Sequence, residues 1–467
     1  MGTLRIPQKT KYRKRVGAFS GVDVKHDQSV IDFSTATLCY NFDITSGALR
    51  DGYGITEHPA VPKDADRYFV YRYYNEDAGA NVDQYIYRIP SSGYYRVYDS
   101  YTGEERYLTG KVLPPSVHMI NYRLDSKDVL LISAEGNKLM YWDGVRVRTC
   151  ENTPMISSMA LHYERLFVTS REDPTKVFFS DDLDPTNFTI GTDAGGFIEL
   201  LDERGEMNMV MSFAGYVYIF RDHGISRVTA YADQAEFSVT NLFVSAGRIY
   251  PDSISRCGDR ILFLASDGIY AFDGYTCVRI LSVLDGLIAD GAVAASAFFD
   301  GKYYLSCRMN FSDGGSVGCE NDGEYGANGL LVYDTATGSY SISRGLDIDF
   351  MNAVTYDGED LFVAHDSNGM GVVTRCGRRF DVPLVKKWKS PASDLGGAER
   401  VKSVREIHIN STADLTLTVE CDGKSRSAEV CKGMRAVRPN ISGKTISVSV
   451  ETDGTGCNIA PFTVVYS

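Results

Sequence analysis

The chain has 467 residues, a net charge of −13, and 43% hydrophobic and 12% aromatic residues, enough for two or three domains with a sizeable core. The acidic balance speaks against a general DNA binder or membrane-surface protein, which is usually basic, although it leaves room for an acidic wall past which DNA slides. No run reaches the ~18 apolar residues of a membrane span.

The aromatic surplus is mostly Tyr (30) and Phe (22), which favour strands. The 44 Gly suit a turn-heavy all-β chain. Apolar residues at helical spacing are scarce. The ten cysteines form no C-x-x-C and are irregularly spaced, which reads as reduced, buried thiols rather than a zinc site.

In chain order, residues 1–60 read as an extended N-terminal arm and lead-in segment. The start, MGTLRIPQKTKYRKRVG, lacks the apolar stretch of a secretory signal. Its cations Lys9, Lys11, Arg13, Lys14 and Arg15 suit an arm that grips a partner or a nucleic acid; the plainer reading is a solvated terminus. Asn41-Phe42-Asp43-Ile44 is a short strand, and Ser46-Gly47 a turn.

Residues 61–390 repeat one theme: an apolar strand, a Gly/Asp/Asn turn, and a second strand ending in an aromatic-Asp pair. Trp142-Asp143-Gly144, Phe272-Asp273-Gly274 and Tyr333-Asp334-Thr335 show it best. The clearest hairpin lies in residues 161–190, where Leu166-Phe167-Val168-Thr169 and Val177-Phe178-Phe179-Ser180 flank an Asp-Pro turn. Core strands centre near Val70, Leu131, Phe167, Tyr218, Phe263, Leu305 and Phe362, in steps of 61, 36, 51, 45, 42 and 57 residues. A four-stranded repeat of that length predicts a β-propeller of about seven blades, six to eight. From about residue 395 to 467 the pattern becomes simple alternation, which predicts a small C-terminal β-sandwich.

The chain carries no G-x-S-x-G elbow, no H-E-x-x-H and no phosphate-cradling loop. No catalytic residue, metal or cofactor is therefore expected. A propeller glycosidase would need two carboxylates across a central pocket, but most acids here sit in turns, where Asp binds its own backbone. The seven histidines are scattered. Residues 310–328, NFSDGGSVGCENDGEYGAN, are the most unusual stretch. Asp313, Glu320, Asp322 and Glu324 could offer oxygen ligands to calcium, but not at EF-hand spacing; a protruding contact loop is the preferred reading.

Several stretches together resemble one family. FSGVDV with CYNFDITSGALRDGYGI, LHYERLFVTSREDPTKVFFSDDLDPTNF, GYVYIFRDHGISRV, and VPLVKKWKSPASDLG leading to KSVREIHI are similar to the neck and tail β-propeller proteins of short-tailed bacteriophages, of the packaged-DNA stabilisation and tail nozzle type. The resemblance implies a non-enzymatic virion structural protein, made in the host cytoplasm without a membrane anchor. It further implies a homo-oligomeric ring, often a hexamer, contacting portal or adaptor proteins. Such a ring retains packaged double-stranded DNA and forms part of its exit path. Two other readings compete. One is a carbohydrate-binding or depolymerising propeller that uses the tyrosines of residues 67–107. The other is a non-viral protein-interaction propeller.

Overall fold

The apolar runs around Leu131, Phe167, Tyr218, Phe263, Leu305 and Phe362 each form the second strand of a small antiparallel sheet, and those six side chains are at most 1% exposed. Strands buried on both faces need near-continuous apolar sequence, which these runs supply. The structure is a computed structural model that describes residues 10–191, 194–231, 233–313 and 326–467. The protein is all-β; the helical segments among the described residues are three short 3-10 turns.

Seven small antiparallel sheets follow one another along the described chain. The first holds Arg67–Asn75, Ala80–Ile89, Tyr94–Asp99 and Glu105–Tyr107; the second Val117–Leu124, Lys127–Ala134, Met140–Trp142 and Val147–Thr149. The third holds Ser158–His162, Arg165–Thr169, Lys176–Phe179 and Gly196–Glu199; the fourth Met207–Phe213, Tyr216–Arg221, Gly224–Thr229 and Ser238–Val244. The fifth holds Ser255–Cys257, Arg260–Ala265, Gly268–Phe272 and Cys277–Ile280; the sixth Ile288–Phe299, Lys302–Met309, Gly329–Asp334 and Tyr340–Arg344. The seventh begins with Phe350–Tyr356, Glu359–Asp366 and Gly369–Thr374.

Each sheet packs on the next through its own apolar cluster. Tyr71 shares a cluster with Trp142, Leu131 with Leu166, Phe167 with Ile219 and Leu264 with Leu305, while the rings of Phe220 and Phe263, and of Tyr304 and Phe362, touch. The seventh sheet then packs on the first, with Val363 and Met370 against Tyr68 and Ile89. Fully burying a side chain of this size stabilises by about 1.5–3 kcal/mol, so every junction between sheets carries substantial stabilisation. The long first step in the sequence repeat has a simple cause. Val70 lies on the first strand of its sheet and is half-buried, whereas the equivalent of Leu131 is the fully buried Ile86, 45 residues earlier.

The fourth strand of the seventh sheet comes from the far end of the chain. Gly54–Thr56 pairs antiparallel with Gly369–Thr374, matching Ile55 to Val373, and Arg378–Arg379 runs parallel on its other side. Other described parts of the segment expected as an arm and lead-in are also taken up in sheets. Tyr12–Arg15, Phe42–Asp43 and Leu49–Asp51 join an eight-stranded sheet with Lys402–Ser411, Gly433–Val437, Ile441–Gly443, Asn458–Ile459 and Thr463–Tyr466. Leu38–Tyr40 joins a five-stranded sheet with Lys386–Lys389, Leu415–Cys421, Lys424–Val430 and Ile446–Thr452. These two sheets form the C-terminal module. It starts before residue 395 because Trp388 is its central core residue, wedged edge-on against Phe19 and Phe462. Local alternation marks a short strand but does not say which distant edge it will cover.

The aromatic-Asp motif has a structural purpose. Asp99, Asp143, Asp273 and Asp334 each end a third strand and accept two backbone N–H groups of the following turn, at 2.7–3.0 Å. The Thr276 N–H, then that of Tyr275, hold the Asp273 carboxyl below the usual aspartate range, and the Thr337 N–H does the same for Asp334. Burial pushes Asp99 and Asp143 up, but their hydrogen bonds more than offset it.

Two predictions follow from this frame. A carboxyl that is more acidic when folded contributes stability above its unfolded pKa and loses it as pH falls through the folded value. Thermal midpoints should therefore drop as pH is lowered below about 4, and replacing all four aspartates with Asn should flatten that drop in a calorimetric series from pH 7 to pH 3. At the closing strand, a Cβ on Gly54 would lie 2.0 Å from the Arg378 carbonyl oxygen. Gly54→Ala should lower stability in urea unfolding by about 1–3 kcal/mol or more.

Candidate functional site

Three places gather polar side chains that the packing alone does not demand. The first is the basic strand Tyr12–Arg15. It lies at the edge of the eight-stranded sheet, with Arg13 opposite Val465 and Arg15 opposite Thr463. Val465 and Thr463 in turn face Glu406 and His408. Side chains alternate along a strand, so Arg13 and Arg15 share a face with Glu406 and His408. Arg438 joins them through a 3.1 Å bond from Nε to Glu406. That bond holds the Glu406 carboxyl low, with smaller help from Lys11 and His408. Lys14 is half-buried on the other face, alongside the Tyr12–Tyr466 stack. The expected basic arm is thus an ordered edge strand at Arg13, Lys14 and Arg15 with Lys11 just before it, and Lys9 lies outside the described residues. Cations on an edge also discourage unwanted strand pairing.

The second place is Asp313. Its carboxylate accepts from Tyr40 Oη at 3.1 Å, Arg344 Nη1 at 2.8 Å and Lys387 Nζ at 3.3 Å. Burial raises its pKa, but Arg344 and then Lys387 bring the net shift below the usual range. The Arg344 guanidinium stacks over Phe311 and Tyr40 at 4.6 and 5.1 Å. Asp313 therefore ties the sixth sheet to the C-terminal module. Glu320, Asp322 and Glu324 of the same expected loop lie outside the described residues.

The third place lies where non-adjacent sheets converge. Arg171, after the second strand of the third sheet, pairs with Glu135 of the second at 2.9 Å. Asp252, leading into the fifth sheet, feels both: burial raises its carboxyl pKa, Arg171 opposes this and Glu135 adds to it. His118, on the first strand of the second sheet, is exposed, yet desolvation by the surrounding protein keeps it towards its neutral form. Among the described residues no group of three or more His, Cys, Asp or Glu could hold a metal. Sequence reasoning missed this cluster, because Glu135, Arg171 and Asp252 come from segments of three different sheets and no local pattern links them.

Charge is divided unevenly between the two parts of the molecule. Residues 52–385, which build the seven sheets, carry 28 Lys/Arg against 47 Asp/Glu, a net −19. The segments 1–51 and 386–467, whose described strands build the C-terminal module, carry 20 against 14, a net +6. The single overall value of −13 conceals this split, which a count for each domain would have exposed.

No protein-family model and no curated protein matches this chain. Among solved structures, it is similar to the extracellular domain of a one-component system from B. thetaiotaomicron, at 11% identity and a TM-score of 0.41. That match covers 93% of this chain and 64% of the other, so the chain spans less than two thirds of its neighbour's length. No helix among the described residues is long and apolar enough to cross a membrane.

The convergent cluster yields a signed prediction. Arg171 stabilises the charged form of Asp252, so Arg171→Gln should raise the Asp252 pKa and Glu135→Gln should lower it. Carboxyl carbon shifts followed by NMR titration would read both directions.

Proposed function

We propose that the seven sheets are the blades of a β-propeller, and that the protein is a bacteriophage virion structural component of the neck or tail. In this reading it is a nozzle- or stopper-like subunit that assembles into a homo-oligomeric ring, retains packaged double-stranded DNA and borders its path during ejection. The observation that carries the reading is the double closure of the chain. The seventh sheet packs on the first and is sealed by Gly54–Thr56, while Tyr12–Arg15 and Thr463–Tyr466 are paired within one module. Such a body is stiff and leaves few open sheet edges, as a load-bearing ring subunit requires. The family-like segments of the sequence support the same reading. Among them, CYNFDITSGALRDGYGI forms strands of both module sheets and then the sealing strand.

The acidic sheets suit a wall that repels phosphate rather than holding it by counterion release. The basic edge strand offers the contact for a neighbouring subunit or an acidic virion partner. Light scattering and native mass spectrometry of the full chain should show a ring oligomer. Replacing Lys11, Arg13, Lys14 and Arg15 with Glu should shift it to the monomer; the like charges set beside Glu406 lower the thermal midpoint, and circular dichroism should show the chain still folded. A monomer at all concentrations that turns over a small substrate would overturn the reading, and so would an unaltered oligomer in the charge-reversed variant.

A further inference from the structure

The two-residue turns that join first and second strands in these sheets follow a rule with one exception. The left-handed backbone positions are taken by Asp125-Ser126 in the second sheet, Ala214-Gly215 in the fourth, Asp300-Gly301 in the sixth and Asp357-Gly358 in the seventh. These are mostly the small or Asx residues that tolerate such a backbone. In the third sheet the position is held by Tyr163, at φ 49°. A left-handed conformation is strained for a large side chain, and strain of this kind tends to sit where function is placed. Core burial does not compensate for it, since Tyr163 is 61% exposed.

The ring stands against a second exposed aromatic. Tyr231, 67% exposed, follows the third strand of the fourth sheet and meets Tyr163 at 5.6 Å and 79°. Tyr163 also crosses to the fourth sheet, its hydroxyl facing the Gly215 turn. Behind it lies the buried His162, with its ring 4.3 Å from that of Tyr163 and its Nδ1 fixed 2.9 Å from Ser212 Oγ. The two rings thus form a wedge with a firm base and open faces. Two exposed carboxylates lie close by along the chain, Glu164 next to Tyr163 and Asp233 two residues after Tyr231.

We infer that this wedge is a carbohydrate-binding site that seats a pyranose of a neutral or amino-sugar chain. A pyranose has an apolar C–H face that stacks on an aromatic ring and a rim of hydroxyls that donate to carboxylates. Two rings nearly at right angles contact such a sugar on a face and an edge together. An apolar protein surface laid on the wedge would leave the flanking carboxylates desolvated and unpaired, and a polyanion would be repelled by them. The inference is independent of the virion role, which needs no glycan contact.

The test uses the full chain with cellohexaose, maltohexaose, chitohexaose and chitosan hexamer as neutral and amino-sugar probes, and an oligogalacturonate as the acidic one. Both tryptophans are fully buried, so saturation-transfer NMR and calorimetry are preferred to fluorescence. At least one neutral or amino-sugar hexamer should bind, with saturation transfer to tyrosine protons. Tyr163→Gly and Tyr231→Ala should each weaken it at least about tenfold, in line with the loss of one stacked ring. Tyr163→Gly should keep or raise the thermal midpoint, because it relieves the strained turn. No binding of any neutral or amino-sugar probe, undiminished binding in both variants, or a preference for the acidic oligomer would overturn the inference. So would a marked loss of stability in Tyr163→Gly, which would assign the ring to packing. A protein captured through the wedge with no glycan binding would count against it as well.

Discussion

The structure depends on one long-range event: residues 38–56 must return to residues 372–389. Gly54–Thr56 completes the seventh sheet, and Leu38–Tyr40 pairs with Lys386–Lys389 to open the five-stranded sheet. Between these pairings sits Asn41, fully buried and left-handed, which donates to the Val385 carbonyl at 2.7 Å and accepts from the Arg344 N–H at 2.7 Å. Arg379, beside the sealing strand, is held by Asp347, by Asp366 at 2.6 Å and by Ser367 at 2.8 Å. Removing one partner of such a buried group costs about 3–5 kcal/mol, because the remaining charges are left uncompensated. Such contacts join the two ends of the sequence and carry a large loop-closure cost. The first and seventh sheets and the C-terminal module therefore stand or fall together.

The same closure places the charges. Side chains that point away from their own sheet meet only what the closed series brings opposite, and for Glu135 and Asp252 that is Arg171. Their polar demands are met largely by one another: Arg171 neutralises Glu135 and moderates Asp252. Farther out, the split between acidic sheets and basic module gives the molecule two ends of unlike sign. At physiological salt the Debye length is about 8 Å, so this difference acts at contact range. It sets the orientation in which a charged partner can approach rather than drawing it from a distance.

Much of the fold was legible in the sequence, for a physical reason. Each sheet is made of hairpins, and a hairpin is local: Leu166-Phe167-Val168-Thr169 and Val177-Phe178-Phe179 announce their strands by composition, and the Asp-Pro turn between them by backbone preference. The buried second strands at Leu131, Tyr218, Phe263, Leu305 and Phe362 could be found for the same reason. What could not be read were pairings across the whole chain. Nothing near Gly54 signals Val373, and nothing near Tyr12 signals Tyr466. The basic start therefore looked like an arm when it is an edge strand, and Asp313 looked like part of a free loop when Tyr40, Arg344 and Lys387 occupy it. The charge split was visible in principle but needed domain limits drawn through both ends of the chain.

Local rules are kept so consistently here that the departures carry meaning. Aspartates close the turns of four sheets, Gly or Asp takes most left-handed positions between first and second strands, and aromatic rings fill the junctions between sheets. When propensity, turn chemistry and packing agree, a residue that defies them is held there by the surrounding fold at a cost in free energy. Leu281 and Phe380 are also left-handed, but they lie among packed residues: Leu281 against the core shared by the fifth and sixth sheets, Phe380 within the cluster behind the sealing strand. Burial accounts for them. Tyr163 and Leu183 have the same backbone strain without that return, being 61% and 64% exposed; of the two, Tyr163 alone sets a ring against a second exposed ring, Tyr231. A framework whose interior is fully committed to stiffness has its surface left for recognition, and the strained, exposed ring is where that surface departs furthest from what folding alone would select.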